Sequence, residues 1–384
     1  MRDEKFIEKY LNLRTRLAPF KLKEDVETKK TVAAALALLH RAETVNAGAS
    51  VEGRFNFTEG HTVENYISRA EGYISALERG EFPLRGKYAE IGSQVVDHSF
   101  IVKDDELHLI YIRGGDVGYE WDMHPVDTVD HSVTTDLLNW KRLPSAVTTD
   151  ASMHENYQVW APGVAEKDGV YYLYYTGVNT NVAQAICLAT SNDLITWKKH
   201  ENNPIVFPGE WGEWSADRWS DCRDPMVFVD DDGMAYMYFC TAKRDGEGKL
   251  SPALGVASSS DMINWRDEGA YCFDICDITL ESPFVIKRDG KYYLFYTNCG
   301  HGTAYAVSDD PICGWQSLGM LIENPKGYVP VNPANVPSCA EVFCFKGKWY
   351  ISSCLREAGC EQYLEIFELF WNGDGTVRVG KRIE

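Results

Sequence analysis

The chain has 384 residues, a formal net charge of −19, and 45% hydrophobic and 25% charged residues. That acidity excludes nucleic acid and anionic membrane surfaces as natural partners, and no run approaches the ~20 apolar residues of a membrane-spanning helix. Eleven cysteines, an odd number without paired CxxC spacing, read as buried reduced thiols rather than as a disulfide framework or a metal site.

The chain starts "MRDEKFIEKYLNLRTRL", which is charged and lacks the apolar core of a secretory signal. Together with reduced thiols this predicts a cytoplasmic location. The segments "KKTVAAALALLHRAE" and "TVENYISRAEGYISALERGEF" carry apolar residues at helical spacing. A Gly- and Asn-containing segment, "NAGASVEGRFNFTEG", is predicted to be the loop between them. Residues 1–84 therefore form a helical N-terminal extension, too small to promise a core of its own. Its apolar faces must be covered by the rest of the chain or by a second copy, which makes a homo-oligomer through these helices an expectation.

From residue 85 to 384 short β runs replace the helical pattern. Five segments share a strand, a polar turn and an aromatic-rich strand: "HSFIVKDDELHLIYIRG", "APGVAEKDGVYYLYYTG", "DPMVFVDDDGMAYMYFCTA", "SPFVIKRDGKYYLFYTN" and "AEVFCFKGKWYISSCLR". Four of them are followed by "TTDLLNW", "TSNDLITW", "SSSDMINW" or "VSDDPICGW". A repeat of roughly 60 residues built from strands alone has the scale of a four-stranded propeller blade. The predicted fold is all-β, a five-bladed β-propeller behind the helical extension.

Anchoring each repeat on its turn (Glu106, Gly169, Gly233, Gly290, Gly347) and counting back nine residues gives Asp97, Trp160, Asp224, Glu281 and Ser338. Three of these five positions are carboxylates, and equivalent positions on innermost strands face one channel. Clustered acids repel one another, so their convergence marks chemistry or a cation. Two carboxyls, one donating a proton and one activating water or attacking carbon, are what glycosidic bond cleavage requires.

These motifs resemble the five-bladed propeller glycoside hydrolases: families 43 and 62, and families 32 and 68. The resemblance covers about residues 90 to 370 and rests on Asp97 in "VVDHSF", "VWAPGV" at Trp160, Asp224 in "CRDPMVF" and Glu281 in "LESPFVIKRDG". It implies a hydrolase that removes terminal sugars, pentofuranosides or xylosides first, from short oligosaccharides. By the family 43 likeness Asp97 is the general base, Glu281 the general acid, and Asp224 the group that tunes and orients Glu281. By the likeness to families 32 and 68, a β-fructosidase-like retaining enzyme, Asp97 is the nucleophile. A non-catalytic carbohydrate-binding propeller is the third reading. The chain departs from family 43 at Asp97-His98-Ser99, where Asp-Pro is usual.

The predicted substrate-binding residues are His98, Trp160, Trp219, Arg223 and His301. Trp160 offers a stacking wall and Trp219 a subsite in the indole-rich loop "PGEWGEWSADRWSDC". Arg223 either binds sugar hydroxyls or restrains Asp224. No cofactor is expected. The resemblance leaves room for a calcium ion near His301, in "NCGHGTAYAVSDDP". The run Asp230-Asp231-Asp232 reads as a solvated hairpin rather than a calcium loop.

Overall fold

The computed structural model describes residues 4–47, 62–88, 94–114, 126–271, 280–323, 336–357 and 361–384. The segment expected as the loop between the two helical runs, residues 46–60, falls largely outside them. Helix α1 (Glu4–Leu17), helix α2 (Val26–Asn46) and helix α3 (Val63–Glu78) precede the strands. Asp25 caps α2 by accepting the Thr28 N–H at 2.8 Å, and Thr62 caps α3 by accepting from Asn65 at 3.1 Å. Leu13, Leu17, Leu38, Leu39, Tyr66 and Ile74 form one buried cluster that also takes in Leu84 and Tyr363. The helices thus bury their apolar faces on one another and on the last blade.

The remaining chain folds into five antiparallel sheets arranged as successive blades. The inner strands are Gln94–Lys103 (blade 1), Gln158–Lys167 (blade 2), Cys222–Val229 (blade 3), Leu280–Arg288 (blade 4) and Val342–Phe345 (blade 5). The first four blades run outward strand by strand in chain order. Blade 5 is closed differently. Its strand Glu361–Trp371 pairs with Lys87–Tyr88 from before blade 1 and with the C-terminal Val377–Arg382. Residues from both ends of the propeller therefore share one sheet, which ties the ring shut.

The repeated "S-x-D" motif has a local cause. In blade 2 Ser191 Oγ accepts the Leu194 N–H at 2.9 Å, and Asp193 Oδ1 accepts those of Ile195 and Thr196 at 2.8 and 2.7 Å. Thr134 with Asp136, and Ser259 with Asp261, repeat the arrangement. Each turn satisfies backbone donors that no strand would otherwise pair. The Asp230 hairpin is a strap, not an ion loop: Lys287 Nζ lies 2.5 Å from Asp230 Oδ1 and 2.8 Å from Asp231 Oδ2, joining blades 3 and 4.

Blades meet closely at the axis. A Cβ on Gly163 of blade 2 would lie 2.0 Å from the carbonyl oxygen of Pro225 in blade 3, so only glycine fits there.

Candidate active site

Every inner strand of blades 1 to 4 carries a β-bulge near its start, where two residues oppose one on the neighbouring strand. The bulges fall between Val95 and His98, Trp160 and Gly163, Arg223 and Met226, and Glu281 and Phe284. Proline occupies the second bulge position in blades 2, 3 and 4 (Pro162, Pro225, Pro283), where its missing N–H breaks no ladder bond. The residue before it has a left-handed backbone: φ is 36° at Ala161, 57° at Asp224 and 49° at Ser282. Cys339 in blade 5 has φ 55°. The bulges turn these residues toward the axis.

The pairing corrects one expectation. The three acids do not share one ring position. Asp97 is the second residue of its bulge, Asp224 the first, and Glu281 the last paired residue before its bulge. The hairpin turn of blade 1 is Asp104–Asp105, so Glu106 is a late anchor relative to Gly169 or Gly290.

The acids nevertheless act on one another. Asp97 and Asp224 line a central cavity of about 30 Å³ with His98, Pro162, Pro225 and Cys339. Asp224 Oδ2 accepts the N–H of Ser282, next to Glu281, at 2.9 Å. Glu281 lies beside this cavity, its side chain 25% exposed, with Oε1 2.8 Å from Arg223 Nη2 and Oε2 accepting from the Cys299 thiol at 3.5 Å. Burial, with the negative charge of Asp97 second, pushes Asp224 from 3.8 up to about 8 despite the opposing Arg223. The cluster therefore gives up its proton less readily than a free carboxyl does.

The expected binding residues have mixed fates. Arg223 does restrain a site carboxylate, but it is Glu281 rather than Asp224; its other partners are Asp221 and Gln184. Trp219 is 46% exposed and lines a cavity of about 340 Å³ with Glu213, Arg218, Asp221 and Leu250. Trp160 is mainly core, packed between blades 1 and 2, with its indole 6.5 Å from that of Trp219. His98 is buried: Nε2 sits 2.8 Å from Ser352 Oγ and Nδ1 3.4 Å from Cys354 Sγ, so both ring nitrogens brace blade 5 while the residue lines the acid cavity. His301 is exposed in the turn after Lys291–Asn298, two residues beyond the Cys299 that bonds Glu281, and does not line the acid cavity. Among the described residues no group of three His, Cys, Asp or Glu side chains is arranged to hold a metal ion.

Several site residues were not foreseen. Cys339 Sγ donates to Asp97 Oδ1. Glu341 accepts the Phe100 N–H at 2.7 Å, and burial raises it to about 7 despite the nearby His98. Both stand within three residues of Ser338 in "SCAEVF", so the only sequence signal was their closeness to the fifth ring position.

Residues 97–311, more than half of the chain, match the sequence profile of the glycosyl hydrolases family 43. The chain belongs to that family. It is 26% identical over 238 residues to a β-D-galactofuranosidase of Aspergillus niger, across 55% of this chain and 62% of the relative. It is 26% identical over 258 residues to a β-xylosidase of Xylanibacter ruminicola, across 58% and 75%. The chain thus spans less than two thirds of the first relative's length. Its fold matches that of RS223 β-xylosidase with a TM-score of 0.60 at 20% identity, over 75% of this chain and 95% of that one. A family 43 enzyme from Xanthomonas citri bound to xylose gives a TM-score of 0.59 at 19% identity, over 79% and 94%. The expected five-bladed propeller and the family 43 resemblance both stand. A 32% match to a sucrose:sucrose 1-fructosyltransferase of Festuca arundinacea covers only 35% of this family 43 chain.

Proposed function

We propose that the protein hydrolyses terminal pentose units, xylosides or arabinofuranosides, from short oligosaccharides. The observation that carries this reading is the joining of Asp97, Asp224 and Glu281, from three blades, into one carboxylate cluster with Arg223. Asp97 takes the proton of the attacking water. Glu281, the acid with a quarter of its side chain open to solvent, gives a proton to the leaving oxygen. Asp224, held neutral, adds no negative charge beside Asp97 and keeps a proton in the site. The 340 Å³ cavity against Trp219, at the small end of the ~300–1,000 Å³ range for ligand pockets, receives the departing sugar. The substrate class draws support from the relatives described as β-xylosidase and xylosidase/arabinosidase.

Hydrolysis of aryl xylosides, arabinofuranosides, galactofuranosides and fructosides at matched concentration tests the reading. Release from a pentoside, with the product anomer inverted by proton NMR, is the expected result. A retained product makes Asp97 a nucleophile, and turnover of fructosides alone overturns the substrate class. Binding of xylo-oligosaccharides without turnover of any glycoside makes the propeller a binding module. The same reading has the enzyme working without cofactor and in the cytoplasm; because the apolar faces of the helical extension are already buried on one another and on the last blade, any contact between copies there falls to its exposed residues. Metal analysis, cell fractionation and light scattering test these in turn.

A further inference from the structure

Blade 5 contributes no acid at the expected ring position, but the residue after it contributes a thiol. Ser338 pairs with Cys354 across the blade. Cys339 follows in a left-handed conformation, φ 55°, and its N–H donates to Thr297 Oγ1 of blade 4 at 3.0 Å. The side chain is thereby aimed at the axis, where Sγ donates to Asp97 Oδ1 of blade 1 and accepts from Ser282 Oγ of blade 4 at 3.5 Å. Three blades meet on one sulfur, 7% exposed, in the cavity lined by Pro162, Pro225 and Pro283.

We propose that Cys339 is a positioning residue for Asp97, its S–H holding one carboxylate oxygen so that the other is presented to the attacking water. This rests on the role given to Asp97 above. The choice of a thiol has a physical logic. A donor to a carboxylate stabilises the ionised form and weakens the base. A thiol is a weak donor, so it fixes the carboxylate's orientation at small cost in basicity. The thiol itself is kept protonated: contact with Cys354, burial and the charge of Asp97 all raise it well above its ordinary value.

Cys339→Ala and Cys339→Ser, with Asp97→Asn alongside, test this on the best aryl pentoside, with thermal midpoints confirming folding. Cys339→Ala should lower kcat about tenfold to a hundredfold, the scale of a misplaced catalytic group, with KM little changed. The acidic limb of its pH–rate profile should move to higher pH. Cys339→Ser, which keeps a donor, should recover most of the rate and return the limb. Wild-type kcat and limb in Cys339→Ala, with Asp97→Asn inactive, overturn the positioning role and leave the proposed function standing. Full activity in Asp97→Asn sinks the proposed function instead. A readout independent of turnover is the Cys339 S–H stretch, isolated as the infrared difference between wild type and Cys339→Ala. It should lie at lower frequency than the same difference taken in the Asp97→Asn background. Identical bands mean that the thiol does not bond Asp97, and the inference falls whatever the activity.

Discussion

Replacing Asp224 by Asn should inactivate the protein and stabilise it, and the stabilisation should depend on pH. In the fold, burial and Asp97 raise this carboxyl from 3.8 to about 8, whereas in the unfolded chain it ionises near its ordinary value. The folded state therefore binds the proton more tightly between about pH 4 and pH 8, and wild-type stability falls as pH rises through that window. At 1.36 kcal/mol per pH unit the ceiling on that loss is about 6 kcal/mol. Asparagine tolerates the left-handed backbone at this site, φ 57°, as aspartate does, and its amide oxygen can still accept the Ser282 N–H. Urea melts of both proteins from pH 4 to pH 9 give the difference directly. Near pH 4 the two should match. By pH 9 Asp224→Asn should be more stable by at least about 1 kcal/mol, well under the ceiling. A difference that stays flat with pH, or an advantage of the variant over wild type that is smaller at pH 9 than at pH 5, would refute a buried, proton-retaining Asp224.

The opposite slope is expected from His108 and His131, buried against each other with ring nitrogens 2.8 Å apart. Burial lowers both, His131 to about 3, so the stability present above about pH 6.5 is lost as pH falls; His131→Gln should flatten the acid side of the urea-midpoint curve. Gly163→Ala forces a Cβ into the Pro225 carbonyl and should cost about 1–3 kcal/mol or more, seen as a lower thermal midpoint, while Gly169→Ala, whose Cβ meets nothing, carries only the cost of its φ of 80°. Arg223→Lys keeps the charge but loses the fork that joins Glu281 to Asp221 and Gln184; kcat should fall about tenfold to a hundredfold with the fold intact by circular dichroism.

The five blades were legible because their signals are local. Aromatic strands such as "YYLYY" and "YYLFY", turns such as Asp168-Gly169 and Asp289-Gly290, and the "S-x-D" caps each fold by contacts within a few residues. The second and third helices were legible for the same reason. Helix α1 was not: Phe6, Leu13 and Leu17 are its buried residues, thinly spread among charges that dominate the sequence. The identities of Asp97, Asp224 and Glu281 emerged from the repeat, but their register did not, because the bulge of blade 1 carries no sequence mark: Asp97 stands at the bulge position that proline takes in blades 2 to 4. What could not be read at all were contacts across blades. The bond from Cys339 to Asp97 spans 242 positions, and that from Glu341 to Phe100 spans 241. His98 looked like a ligand contact beside Asp97, yet closure of the ring buries it against Ser352.

The division of labour between the acids is tested most directly by the leaving-group dependence of Glu281→Gln. An aryl glycoside with a strongly acidic phenol leaves without protonation, whereas a natural pentose disaccharide needs a proton on the departing oxygen. Measured as kcat/KM against wild type, Glu281→Gln should lose most of its rate on the disaccharide and much less on the activated aryl pentoside. Asp97→Asn should be severely impaired on both. Equal losses for Glu281→Gln across the series would contradict its role as the acid that Arg223 holds in place.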